Sequence, residues 1–299
     1  MASANMNVGR AHHTASVLND GKVLVTGGFN IHLAVEKTAE LYDPQTETWT
    51  VVNSMNVERG RHTACVLSNG KVLITGGENN DSNNVNSTEL YDPSTGIWML
   101  VGNMTDQRAR HTVSVLPSGA VLVTGGIGAH YRVLNTSELY DPFKGIWVPT
   151  GNMTVGRTQH TASVLPNGKI LVSGGMDMYN NALNSTELYD ASTETWTITG
   201  TMKDGRYEHT ASLLTNGKIL VSGGSYPDLT GLSTTELYDP SIERWESADN
   251  MHLKRYTHTA SVLTNGNVLV TGGFVFGSSQ LNTAELYNPS TEFSIYTQT

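Results

Sequence analysis

A single cysteine in 299 residues excludes an internal disulfide framework. No apolar run approaches the roughly 20 residues of a membrane-spanning helix. The opening stretch MASANMNVGR has neither the charged start nor the apolar segment of a secretory signal. Basic residues are scarce, with 18 Lys and Arg against 27 Asp and Glu and a net charge of −9. Gripping a nucleic-acid backbone requires clustered Lys and Arg, so neither nucleic acid nor a membrane is expected as a partner. No stretch holds a 3.6-residue apolar period, which leaves an all-β protein. These absences fit a cytoplasmic protein or a part of a larger extracellular one.

What the chain does have is repetition. The stretch GRAHHTASVLNDGKVLVTGG, Gly9 to Gly28, returns as ERGRHTACVLSNGKVLITGG and then four more times. The arginines Arg10, Arg59, Arg108, Arg157, Arg206 and Arg255 are spaced 49 residues apart. So are the histidines His13, His62, His111, His160, His209 and His258, and the paired glycines that begin at Gly27. ELYD recurs from Glu40 to Glu236 and ends as ELYN at Glu285. A tryptophan follows in five copies, Trp49, Trp98, Trp147, Trp196 and Trp245. The repeats run approximately over 8–56, 57–105, 106–154, 155–203, 204–252 and 253–299, leaving no room for a second domain.

Each repeat reads as four strands. HTASVL leads through an Asn-Asp-Gly or Pro-Asn-Gly hairpin turn, whose residues tolerate positive φ, into KVLVTGG. TAELYDP follows, closed by a proline that removes a ladder donor, and TWTVVN is the fourth. The second strand is apolar at consecutive positions, so both of its faces are covered. Small sheets each sandwiched by neighbours, with first and last copies like the middle ones, predict a closed propeller rather than a capped solenoid. Paired glycines, a tyrosine about 14 residues on and a tryptophan seven beyond it resemble the kelch repeat across essentially the whole chain. The resemblance implies a six-bladed kelch β-propeller with four antiparallel strands per blade. Asn288, Ser294 and Ala191 depart from the pattern, the first two in blade 6. Thr299 has the repeat phase of Asn5, which predicts that every blade takes its strands from one repeat.

What all six copies share reads as scaffold. Six histidines spread among six blades do not converge as a metal site demands, so each is expected to bond to a neighbouring blade, and no metal or other cofactor is expected. The repeated Arg and Glu form buried braces, the reading preferred over a cationic ring for an anion. Tyr42, Trp49 and their equivalents supply packing between blades. Cys65 replaces a serine and reads as a small buried residue rather than a nucleophile.

What differs between copies is where one function can reside. The loops after the paired glycines are FNIHLAVEK, ENNDSNNVN, IGAHYRVLN, MDMYNNALN, SYPDLTGLS and FVFGSSQLN. A second variable zone lies between Arg and His. The resemblance implies that both zones surround the channel mouth. The candidate ligand-binding residues are therefore His12, Arg61, Arg110, Gln159, Tyr207, Glu208 and Tyr256, with Tyr131, Arg132, Tyr179, Tyr226 and Phe274 on a rim that also holds Phe276. His12, Arg61 and Arg110 make the basic side, suited to an acidic ligand, and Tyr207 and Tyr256 are expected to stack on it. Glu78 and Asp81 lack the spaced acidic ladder of a calcium loop. Asn-x-Ser/Thr at Asn86, Asn103, Asn135, Asn152 and Asn184 follows from the repeat.

These features predict a monomeric, non-enzymatic binding or scaffold module for a protein, peptide or glycan. The alternative is a kelch-type enzyme, since kelch relatives include copper-radical sugar oxidases, sialic-acid epimerases and metal-using specifier proteins. The oxidases need a Cys–Tyr crosslink, which Cys65 on an inner strand disfavours. An epimerase or lyase needs an acid–base pair, for which Glu208 with Arg61 or Arg110 is the combination available.

Overall fold

Each repeat folds as four short strands because turn residues cut its β-branched and apolar stretches at fixed places. The computed structural model describes residues 4–277, 280–290 and 293–297, the last as backbone. The strands β1 (Thr14–Val17), β2 (Val23–Thr26), β3 (Ala39–Asp43) and β4 (Thr48–Val52) form the first antiparallel sheet in sequence order. The second is β5 (Thr63–Val66), β6 (Val72–Thr75), β7 (Thr88–Asp92) and β8 (Ile97–Val101). The third is β9 (Thr112–Val115), β10 (Val121–Thr124), β11 (Ser137–Asp141) and β12 (Ile146–Thr150). The fourth is β13 (Thr161–Val164), β14 (Ile170–Ser173), β15 (Thr186–Asp190) and β16 (Thr195–Ile198). The fifth is β17 (Thr210–Leu213), β18 (Ile219–Ser222), β19 (Thr235–Asp239) and β20 (Arg244–Ala248). The sixth is β21 (Thr259–Val262), β22 (Val268–Thr271), β23 (Ala284–Asn288) and β24 (Phe293–Thr297).

These are the blades of a six-bladed β-propeller, and among the described residues the helical content is one 3-10 turn, Ala129–Tyr131. The chain falls into two units of three blades, Met1–Thr150 and Gly151–Thr299. Strand β24 pairs with β23, so blade 6 is completed by its own repeat, and among the described residues no strand is exchanged. The side chain of Ser294, which replaces the tryptophan, lies outside the described residues. Within each unit the first strands of successive blades are neighbours, β1–β5–β9 and β13–β17–β21, which makes the RxxHT strands the inner ones.

The hairpin turns differ from expectation in one respect. Glycine alone takes positive φ, +84° at Gly21 and +81° at Gly168, while Asp20 and Asn167 do not. A single left-handed glycine closes the turn through Gly21 N–H to Leu18 O and Leu18 N–H to Lys22 O. The paired glycines answer a different need. Gly27 and Gly28 both have positive φ, and a Cβ on Gly27 would collide with the carbonyl of Arg59 in the next blade. Gly28 N–H donates to that same carbonyl at 2.8 Å.

The core lies between blades. Strands β6, β10, β14 and β18 are buried at every position, as their unbroken apolar runs predict. Tyr91 and Trp98 pack with ring centres 4.8 Å apart, and the other four Tyr–Trp pairs repeat this. A methionine shares the period. Met55, Met104, Met153, Met202 and Met251, also 49 apart, are all buried; Met55, Met202 and Met251 belong to core clusters that join neighbouring blades.

Candidate functional site

The repeated charges are consumed inside the fold. Arg59 Nη1 donates to Gly76 O (2.8 Å) and Ser87 O (2.9 Å), and Nη2 donates to Ser87 Oγ (3.1 Å) and Glu89 Oε1 (2.9 Å). Glu89 also accepts from the amides of Asn56 and Val57, on the segment entering the blade. Burial alone raises the Glu89 carboxyl, but the Asn56 amide and the Arg59 charge outweigh it and hold the carboxyl below its ordinary value. The same Arg–Glu pair, at 2.8–2.9 Å, closes each of the six blades. The expected brace is therefore present, and it lies within a blade.

The histidines join one blade to the next. His62 Nδ1–H donates to Arg59 O (3.1 Å), which leaves Nε2 as an acceptor beside the hydroxyls of Thr14 (2.9 Å) and Thr26 (3.2 Å) in the preceding blade, which also bond to each other. His111 meets Thr63 and Thr75 in the same way, His209 meets Thr161, and His258 meets Thr210. Burial, with the nearby Arg59 charge, pushes the His62 imidazole down to about 3, so it is neutral. His160 and His258 are likewise pushed down to about 3.

Two residues past each arginine the backbone turns left-handed at a residue that is never glycine. In the first unit these are His12, Arg61 and Arg110, with φ of +53°, +53° and +54°. Arg61 N–H donates to His12 O (3.1 Å) and Arg110 N–H to Arg61 O (3.0 Å). In the second unit Gln159, Glu208 and Thr257 (φ +55°, +54°, +50°) are linked likewise, Glu208 N–H to Gln159 O and Thr257 N–H to Glu208 O, both 3.1 Å. The residues of one repeat phase thus stand side by side on neighbouring blades, as expected. They precede the inner strands rather than lying on them, and each accepts left-handed strain in exchange for an amide bond to the neighbouring blade.

The chemistry of this row corrects two expectations. Arg61 does not present an open charge: its Nη1 bonds Glu78 Oε2 at 2.7 Å and its Cζ sits 4.8 Å from the centre of the Phe29 ring. Gly60 makes this possible, because any Cβ there would occupy the Phe29 ring. His12 packs edge-on to Phe29 at 6.0 Å, and burial followed by the charges of Arg61 and Arg110 lowers its pKa. The pairing also commits Glu78, whose carboxylate is spent on Arg61. In the second unit Tyr207 is buried, its hydroxyl donating to Tyr226 O (3.3 Å), so it offers no stacking face. Tyr226 in turn donates to Asp204 Oδ1 (3.1 Å), Gln159 Nε2 donates to Glu208 Oε1, and half-buried Tyr256 lies 6.0 Å from Phe274. Phe29 opens a loop whose chemistry varies between repeats, and only the fold sets it beneath Arg61.

The loops after the paired glycines are held firmly. Phe29 bridges both Ala11 and Val35, tying the loop to the Arg–His segment at one end of the blade. Asn30 Oδ1 accepts from His32 and Ala34 amides, Asn79 Oδ1 from Asp81 and Asn83, and Asp177 Oδ1 from Tyr179 and Asn181. Adjacent loops of the first unit are joined by Asn80, which bonds both Val35 N and Val35 O, and by Asn84, which donates to Ile127 O and Gly128 O. On this frame stand exposed apolar tips: Ile31 (89 % exposed), Tyr131 (77 %) and Tyr179 (74 %), together with Leu33, Met178 and Phe276. Arg132 is exposed beside Tyr131.

Among the described residues no three His, Cys, Asp or Glu side chains come together as metal ligands. Cys65 sits on inner strand β5, partly buried, and burial pushes its thiol up to about 12. Of the Asn-x-Ser/Thr sites, Asn103, Asn152 and Asn184 are exposed, whereas Asn86 donates to Met104 O.

Solved structures with this fold include that of YjhT, which is 16% identical with a TM-score of 0.74 and covers 98% of this chain and 99% of its own. A fungal alcohol oxidase of the AA5 family in complex with copper is 18% identical with a TM-score of 0.79, covering all of this chain and 66% of its own. At these identities the likeness establishes the fold alone. No curated protein matches. The kelch motif matches residues 10–56. The Attractin/LZTR1 β-propeller model matches residues 42–280, and the chain belongs to that family of kelch β-propellers.

Proposed function

We propose that this chain is a binding module whose post-glycine loops take a protein, peptide or glycan. The observation that carries the reading is the division of labour between repeated and variable residues. The repeated Arg and Glu are spent on braces, while large apolar side chains that vary from blade to blade stand exposed on loops held by side-chain-to-backbone bonds. Exposed aromatics on a rigid frame lose little conformational freedom on binding, which favours them as anchors. An acidic ligand at Arg61 would have to displace Glu78, so the loop tips, rather than Arg61, take the leading role.

Peptide and glycan arrays identify ligands, and titration of the best of them against Tyr131→Ala and Tyr179→Ala variants tests the reading. Each side chain is exposed, so both variants fold, and loss of an anchoring aromatic weakens binding by about 2 kcal/mol. A ligand whose affinity neither variant changes, and which Arg61→Ala weakens, returns the site to the left-handed row.

A further inference from the structure

The fourth strands are the outer edges of their sheets, each paired on one side only. An open edge offers unpaired amides and carbonyls to any other strand, and proteins usually guard such edges with charge or proline. The stretches that form these edges are PQTETWTVV, PSTGIWMLV, PFKGIWVPT, ASTETWTIT, PSIERWESA and PSTEFSIYT. Within the strands themselves β12 carries Pro149 and β20 carries Arg244 and Glu246, whereas β4, β8, β16 and β24 carry neither charge nor proline. Of these four, β8 alone is apolar at every position, and its uncharged surroundings run from Pro93 to Thr105 in a chain of net charge −9.

We propose that β8 is a self-association edge, at which two copies of this chain pair β8 to β8 in antiparallel fashion. Ile97, Met99 (51 % exposed) and Leu100 (53 %) are exposed along it, whereas Trp98 is turned inward and donates from its indole to Asn53 O (2.7 Å). Charge selects this occupant. Two copies of an acidic chain repel one another, and this neutral edge is where they approach with least opposition. Antiparallel pairing of a strand with its own copy is self-complementary under a two-fold axis. Centred on Met99, it sets Ile97 opposite Val101 and Trp98 opposite Leu100, giving apolar cross-strand pairs. A five-residue edge buries less than the roughly 1,200–2,000 Å² of a stable interface, so the pair forms at high concentration and separates on dilution.

Sedimentation of the intact chain from about 1 µM to 1 mM tests this. The expected result is a weight-average mass that rises reversibly toward that of a dimer. Met99→Lys replaces the central apolar pair by two like charges across the two-fold axis and weakens association by about fivefold. Thr197→Lys makes the same charge change at the same place on β16, where the side chain is also exposed, and leaves association as it was. Any of three results overturns the proposal: a wild-type chain that stays monomeric throughout, leaving the edge for a strand of some other protein; a Met99→Lys variant that associates like wild type; or a Thr197→Lys variant that weakens association equally.

Discussion

Arg59 and Arg61 are two residues apart and live in different regions of the molecule. Arg59 is fully buried, makes four hydrogen bonds and recurs in every blade. Arg61 is partly buried, lies over Phe29 and shares its phase with His12, Arg110, Gln159, Glu208 and Thr257. The first region is specified by its side chains: the brace works only with a guanidinium and a carboxylate. The second is specified by its backbone: a left-handed turn and an amide bond to the next blade persist under several side chains. The frame therefore constrains sequence, and the left-handed row leaves it free to vary.

That contrast breaks most readily at the brace. Glu89→Ala leaves the buried Arg59 guanidinium without its carboxylate and the amides of Asn56 and Val57 without their acceptor. A loss of about 3–5 kcal/mol is expected in urea or guanidinium unfolding. A loss below about 1 kcal/mol would show that the brace is not a source of stability.

The histidine links set the pH dependence. The folded-state pKa of His62, about 3, lies below its ordinary value of 6.5, so the unfolded chain takes up the proton first as pH falls. Stability is then fully present above about pH 6.5 and declines toward pH 3, by up to about 1.4 kcal/mol per pH unit for each such histidine. His160 and His258 act in the same sense, and the lowered carboxyls of Glu40, Glu89 and Glu285 add a further loss below their ordinary 4.5. Urea midpoints measured at about pH 7 and pH 5 should therefore differ clearly, with a smaller difference in His62→Gln. Equal midpoints for the wild type would contradict the neutral buried state.

The smallest effect is expected in the left-handed row, where it takes the opposite sign. Thr257 is β-branched at φ +50°, and its hydroxyl bonds only the carbonyl of the adjacent Tyr256 among the described residues. Thr257→Gly relieves the left-handed strain and stabilises the fold by up to about 1 kcal/mol. Destabilisation instead would mean that side chains in this row support the frame after all.

Much of this was legible in the chain because six copies act as their own comparison. The 49-residue period predicts the blade count, the inner RxxHT strands and the pairing of repeated Arg with repeated Glu. The buried methionines carried the same period and were readable by the same means. Phe29 was not: Gly60 and Arg61, which pack on its ring, belong to the next repeat, and no local pattern connects them to it. Tyr207 and Tyr256 hold one repeat phase, yet the former is buried and the latter half-exposed, a difference that the repeat period does not carry.

The sequence by itself determined the all-β class, the six blades and which residues form the frame, since a feature needed at every blade must be written six times. Only the tertiary structure decided what the variable residues do. It tied Arg61 to Glu78, turned His12 edge-on to Phe29, buried Tyr207, and left Ile31, Tyr131 and Tyr179 in solvent. The physical reason is that a side chain's identity is fixed by the sequence, whereas its exposure and its partner depend on a neighbour some 17 to 32 residues away that the fold alone brings near.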